Sequence, residues 1–229
     1  FDERLNKKVV AFVDVPAWVG SAREDLAERL NASPNTVFDT PLPCPMLTHW
    51  LHNMEHDNVL TMLRALDFAN NKQDKVKIIF VPCYLNGNDG IFNMPYYDLI
   101  LGNDICVYPS YYEPWGYTPL EAVAFSIPCV TTDLAGFGIW AQQVLETDKA
   151  ENNLANGVKV VHRTDYNYHE VADEIKDAVA NYALLPKTTV TKAREKAKSL
   201  SKKALWKKFI AYYNEAYHMA LTKAEERTK

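Results

Sequence analysis

No stretch of about 18 consecutive apolar residues occurs in the chain, so nothing in it reads as a membrane-spanning helix. The opening FDERLNKK has none of the apolar core of an export signal, and the chain is expected to be soluble and cytoplasmic. Positive charge is not in excess either. Lys and Arg total 25 against 29 Asp and Glu, a formal net charge of −4. A surface of that sign has no footprint for neutralising many phosphates, which excludes DNA and RNA as expected partners. The cysteines Cys44, Cys83, Cys106 and Cys129 form no CxxC pair, so reduced, buried thiols are expected. Internal repeats and low-complexity stretches are missing as well. The first residue is Phe1 rather than Met, which points to a piece of a longer protein.

With 48% of its 229 residues hydrophobic, the chain can bury a substantial core within a single domain. Short, nearly continuous apolar runs rich in β-branched residues recur at 8–16, 76–82, 104–109, 128–133 and 157–162. Such runs fit strands covered on both faces. Between them, helical periodicity predicts helices at 21–30, 58–70, 94–102, 118–126 and 138–146. Strand and helix in alternation imply crossover connections and an α/β fold with a doubly wound parallel sheet. Beyond about residue 166 the strands stop, and the remainder to 229 reads as a helical tail. Its last helix carries Leu205, Phe209, Tyr213 and Tyr217 at four-residue steps, one apolar stripe in need of a partner surface. The cluster SKKALWKKF could suit a membrane surface, but Glu215, Glu225 and Glu226 favour a helix that packs back on its own protein. The proline-rich 33–47 is the expected long loop.

The stretch YEPWGYTPLE, 112–121, carries the chemistry. It follows the 104–109 strand, at the carboxyl end where open α/β sheets place ligands. Thr118, Pro119 and Glu121 fit a capping box with proline at the first helical position, so Thr118 is the expected N-cap. The same helix start offers free N–H groups to a phosphate, provided Glu121 turns elsewhere, for instance toward sugar hydroxyls. Glu113 precedes Pro114 and favours extended backbone, with no helical role to explain it. Tyr111, Tyr112, Trp115 and Tyr117 surround it in sequence and suggest a pocket for a sugar or a nucleotide. Gly136 and Gly138 before the next helix are read either as a tight turn or as a place where backbone N–H groups approach such a ligand. His49, His52 and His56, with Glu55 and Asp57, would share a helical face at steps of three and four. Surface or cleft histidines are the expected reading, and no metal site is assigned.

The segment YPSYYEPWGYTPLEA, with IPCVTTDLAGFG behind it, resembles the donor-site segment of eukaryotic-type glycogen synthases, retaining glycosyltransferases of the two-domain GT-B fold with a glutamate-seven-residues-glutamate motif. The similarity extends with gaps from about residue 8 to 217, through VVAFVDVPA and DNVLTMLRALDFANNKQDKVKIIFVPCYL. It implies the Rossmann-like, nucleotide-sugar-binding C-terminal domain, residues 1–229, of a UDP-glucose-dependent α-1,4-glucosyltransferase. The N-terminal acceptor domain is then absent, and the glycogen or glucan acceptor is reached only through it. By the family pattern Glu113 contacts the transferred glucose, Trp115 and Gly116 line its pocket, and Tyr117 and Thr118 approach the pyrophosphate. Glu121 would hold the ribose, and Tyr84 and Tyr96 would sandwich the uracil. No cofactor and no metal is implied beyond the donor itself, which is UDP-glucose, with UDP as leaving group.

The chain also departs from the family. The arginine and lysine that hold the diphosphate would lie upstream of residue 1, so this piece alone is expected to be inactive. A short loop replaces the long helical insertion used for assembly, which leaves a homo-oligomer open. Lys192, Arg194, Lys196 and Lys198 stand where the family has an arginine-rich sensing helix, and are read as a solvated face. Asp104 stands where the family has a histidine and is expected to point away from the diphosphate. Two alternatives remain: a nucleotide-sugar-binding module without catalysis, or a related UDP-sugar enzyme such as a sucrose or trehalose-phosphate synthase.

Overall fold

Parallel strand pairings organise the chain, one in the first and two in the second of two compact units, Phe1–Gly102 and Asn103–Lys229. The structure is a computed structural model that describes residues 4–228. In the first unit strand β1 (Val9–Asp14) pairs in parallel with β4 (Val76–Val81), from Val9 opposite Val76 to Asp14 opposite Val81. Between them run β2 (Val19–Ala22), α1 (Glu24–Asn31), β3 (His49–Leu51) and α2 (Asn58–Ala65), and α3 (Tyr96–Ile100) follows β4. Strands β2 and β3 pair antiparallel with an irregular register. Neither was expected from the sequence, because each is too short to show a period and β2 lies beside a helical pattern. The Asp57 side chain accepts the Leu60 amide at 2.9 Å and starts α2.

The core of this unit gathers Met46, Leu47, Leu51, Leu60, Leu63, Ile78 and Phe80. Arg23, expected inside the first helix, instead precedes α1 and is wholly buried. Its guanidinium donates to the carbonyls of Cys44 (2.7 Å) and Leu47 (3.1 Å), pairs with Asp25 at 2.6 Å and lies over the Trp50 ring. A buried cation is tolerated only when its donors are taken up this way. The contacts fix the end of the proline-rich loop. They also hold the Asp25 carboxyl below the usual carboxylate range, chiefly through the hydrogen bond from Arg23.

In the second unit β5 (Cys106–Val107), β6 (Cys129–Thr132) and β7 (Val158–Val161) form a parallel sheet in that order. Helices α4 (Tyr117–Ala124) and α5 (Gly136–Thr147) make the crossovers, and α6 (Tyr168–Ala183), α7 (Lys187–Lys203) and α8 (Trp206–Thr228) complete the helical tail. Every residue of β6 is buried, as a central strand covered on both faces requires. Ala193, Ala197 and Leu200 form the buried stripe of α7, and the small alanines let that helix approach Gly157 closely. There a Cβ would stand 2.5 Å from the Ala197 amide nitrogen. No residue of α8 is fully buried. The architecture is therefore α/β, with parallel sheets connected through helices, and no helix among the described residues is long and apolar enough to cross a membrane.

Candidate active site

The loop between β5 and α4 is tied down along its length. Tyr108 donates its amide to Val130 at 2.9 Å, and the Thr132 hydroxyl donates to the Ser110 carbonyl at 2.7 Å. Arg163, just past β7, donates to the Pro109 carbonyl and places its guanidinium 5.1 Å above the Tyr111 ring. Glu113 then runs beside the segment before α5 as one more extended residue. Its amide donates to Leu134 at 3.3 Å, and its carbonyl accepts the Gly136 amide at 3.1 Å. The Trp115 carbonyl accepts the Phe137 amide at 2.6 Å.

These bonds decide between the two readings of the glycine pair. Gly136 and Gly138 lie in the first turn of α5, and the first two amides of that helix are occupied by the Glu113 and Trp115 carbonyls. The glycines serve close packing. A Cβ on Gly136 would stand 2.3 Å from the Pro114 carbonyl oxygen, and one on Gly138 would stand 1.9 Å from that of Thr132.

The start of α4 corrects the capping box. Its N-cap is Gly116, at φ 96°, and no side chain caps the helix there. Thr118 and Pro119 are the second and third helical residues. Proline is accommodated because amides of a first turn have no intrahelical acceptor, so the missing donor loses nothing. The left-handed Gly116 turns the chain into the helix two residues earlier than expected, and sequence spacing around Thr118 could not show this. Tyr117 and Thr118 are exposed at this start, Gly116 is buried, and Glu113, Trp115 and Glu121 are half-buried around it.

The Trp115 ring sits among aromatic neighbours. Phe137 and Trp140 of α5 lie 6.2 and 5.9 Å from it, and Phe209 of α8 meets it edge to face at 5.4 Å and 88°. In the sequence Phe209 shows only as part of an apolar stripe, and no local pattern singles out Trp140. For Arg163 the signal was a cation just past a buried strand.

Tyr84 and Tyr96 belong to the first unit, Tyr84 on the segment between β4 and α3 and Tyr96 as the first residue of α3. The Tyr96 amide donates to the Leu85 carbonyl at 2.9 Å and Asn86 bridges Pro95, which closes the segment into one loop with both tyrosines at its neck. Tyr84 is 81% exposed. Inside the loop the Asp89 carboxylate accepts the amides of Ile91, Phe92 and Asn93 at 2.7–3.0 Å. Burial opposes its charge, but these donors outweigh it and hold the carboxyl below its ordinary range.

The histidines do not share a helical face. His49 is buried in β3, between the Thr48 hydroxyl and the Asp89 carbonyl, while His52 stacks on Trp18 at 4.7 Å in a turn. No group of three or more possible metal ligands occurs among the described residues. In α7, Lys196 donates to Asn156 and Arg194 to the Asn103 carbonyl, while Lys192 and Lys198 are exposed. Asp104 acts electrostatically on the buried Tyr182, whose hydroxyl is pushed up by burial.

A parallel α/β sheet carries at its carboxyl edge a pinned carboxylate loop and a side-chain-uncapped helix start, the place where open sheets of this kind receive ligands. Comparison with known proteins then gives the family. The glycogen synthase family model matches residues 35–228, and the chain belongs to that family. It is similar to glycogen [starch] synthase isoform 1 of Saccharomyces cerevisiae, with 31% identity over 79% of this chain and 25% of the yeast protein. It is similar also to the liver glycogen [starch] synthase of Homo sapiens, with 30% identity over 87% of this chain and 28% of the human one. The chain thus spans about a quarter of the length of these relatives.

Proposed function

We propose that this chain is the donor-binding part of a glycogen synthase, a retaining glucosyltransferase that extends α-1,4-glucan from UDP-glucose. It would be the Rossmann-like, doubly wound C-terminal domain of a GT-B fold, cytoplasmic, with the glucan acceptor bound by an N-terminal domain beyond this chain. The observation that carries the reading is the Glu113–Trp115 backbone, held by two hydrogen bonds to the first turn of α5 directly before the Gly116 helix start. Such anchoring supplies the preorganisation that transition-state stabilisation needs.

In this reading Glu113 contacts the transferred glucose as positive charge develops toward an oxocarbenium-like state. Trp115 and the Gly116 backbone wall the sugar pocket. The amides at the start of α4, from Tyr117 and Thr118, face the diphosphate where its charge grows as UDP departs. Glu121, carried by the body of α4, takes the ribose hydroxyls, and Tyr84 and Tyr96 stack on the uracil, each contact contributing about 1–3 kcal/mol by analogy with base stacking elsewhere. No metal or cofactor enters the scheme.

Calorimetric titration of UDP and of ADP into the folded chain, with Tyr96→Ala alongside, tests this. Saturable UDP binding that the variant loses is the expected outcome. A folded chain that binds neither nucleotide would remove the reading for this piece.

A further inference from the structure

Glu113 and Trp115 are fixed through their backbone by α5, but the Trp115 side chain is held on one side by a different element. Phe209 lies in the first turn of α8 and is half-buried, with Ile210 beside it, in a helix that has no fully buried residue. Its ring stands nearly perpendicular to two indoles at once, Trp115 at 5.4 Å and 88° and Trp140 at 5.9 Å and 85°. Trp140 and Phe137 in turn contact each other at 5.6 Å and Trp115 on its remaining flanks. The four rings form a box in which three walls belong to the loop and α5, and the fourth is delivered by the tail.

We infer that Phe209 is a positioning residue: through Trp115 it sets the sugar end of the donor site and so makes the tail helix part of the site's specificity. This rests on the donor-binding reading above. The consequence is selective. Without Phe209 the indole is unsupported on one side, and the glucose pocket that Trp115 walls loses its shape. The nucleotide end is carried by other elements, Glu121 by α4, Tyr84 by the loop before α3 and Tyr96 by the start of α3, and does not depend on Phe209. Edge-to-face aromatic contacts are directional, so an aromatic replacement keeps the box and a small side chain opens it.

The test labels the 229-residue chain uniformly with 5-fluorotryptophan and identifies the Trp115 fluorine resonance by its loss in Trp115→Phe. In Phe209→Ala the Trp115 line is expected to move while that of Trp18 stays. UDP-glucose affinity measured by calorimetry should fall about tenfold and UDP affinity by less than about twofold. Phe209→Tyr should restore both the line and the affinity. An unmoved Trp115 line, or equal losses for UDP-glucose and UDP, overturns the inference while leaving the donor reading in place. A wild-type chain that binds neither ligand overturns the donor reading, and this inference with it.

Discussion

The carbonyl of Glu113 accepts the backbone amide of Gly136 at 3.1 Å, so the residue proposed to face the sugar is fixed by the first residue of the following helix. The contact is possible because Gly136 has no side chain. In Gly136→Ala the new methyl would meet the Pro114 carbonyl oxygen at 2.3 Å, too close for backbone to tolerate without moving. Overpacking of this kind costs about 1–3 kcal/mol, readable as a lower urea midpoint at unchanged slope. Wild-type stability in the Gly136→Ala variant would show that the loop is not fixed by this approach.

Gly116 holds a different constraint. At φ 96° an L residue is strained, and its Cβ would also stand 3.2 Å from the Pro119 ring and 3.4 Å from the Glu113 side chain. Gly116→Ala is expected to destabilise by about 1–2 kcal/mol and to weaken UDP-glucose binding. Chemical denaturation and calorimetry on the same samples check both.

Glu113→Gln keeps the shape of the loop and removes the charge. In the complete enzyme, glucose transfer should fall by roughly a hundredfold or more while UDP affinity stays within about twofold, as for a group acting on developing charge. A radiolabelled transfer assay beside a UDP titration separates the two, and equal losses would argue for a merely structural glutamate.

Asp89 predicts an acid-side dependence. Its folded pKa lies below the unfolded value near 3.8, so the charged form is the better bound one in the native chain. The stability it contributes is fully present above the unfolded pKa and is lost as pH falls through the depressed folded value. Asp89→Asn should therefore flatten the loss of stability below about pH 4, measured by urea unfolding across pH. An unchanged acid slope would mean the three amides do not favour the charged carboxylate.

Cys129 sits fully buried in β6, and burial pushes its thiol well above the ordinary range. Because the thiolate is the reactive form, Cys129 should resist a disulfide exchange reagent in the native chain and label only on unfolding. Cys44, half-buried, is expected to label first, with mass spectrometry giving the order.

The buried strands were legible in the sequence because an element covered on both faces must be apolar throughout. The five expected runs contain β1, β4, β5, β6 and β7. Strand β6 is buried throughout, whereas β1 has no buried residue and Val107 of β5 is exposed, so for those two the apolar, β-branched composition alone marked the strand. The helices were legible from their period, and the loop around Glu113 from its place after a strand. The short β2–β3 pair was not, since three or four residues carry no period and only the partner strand defines them. Arg23 falls within the predicted 21–30 helix; only the folded loop supplies the Cys44 and Leu47 carbonyls that make its burial tolerable. The same limit applied at the site. Residue types placed Glu113, Trp115 and Glu121 together, because they lie within one short segment whose chemistry is local. That Gly116 caps the start of α4, that the α5 amides hold the Glu113 loop, and that Phe209 from the tail closes the box on Trp115 were decided by tertiary structure. Those facts depend on a left-handed turn and on contacts between residues far apart in the chain, and no local pattern encodes the distance between them.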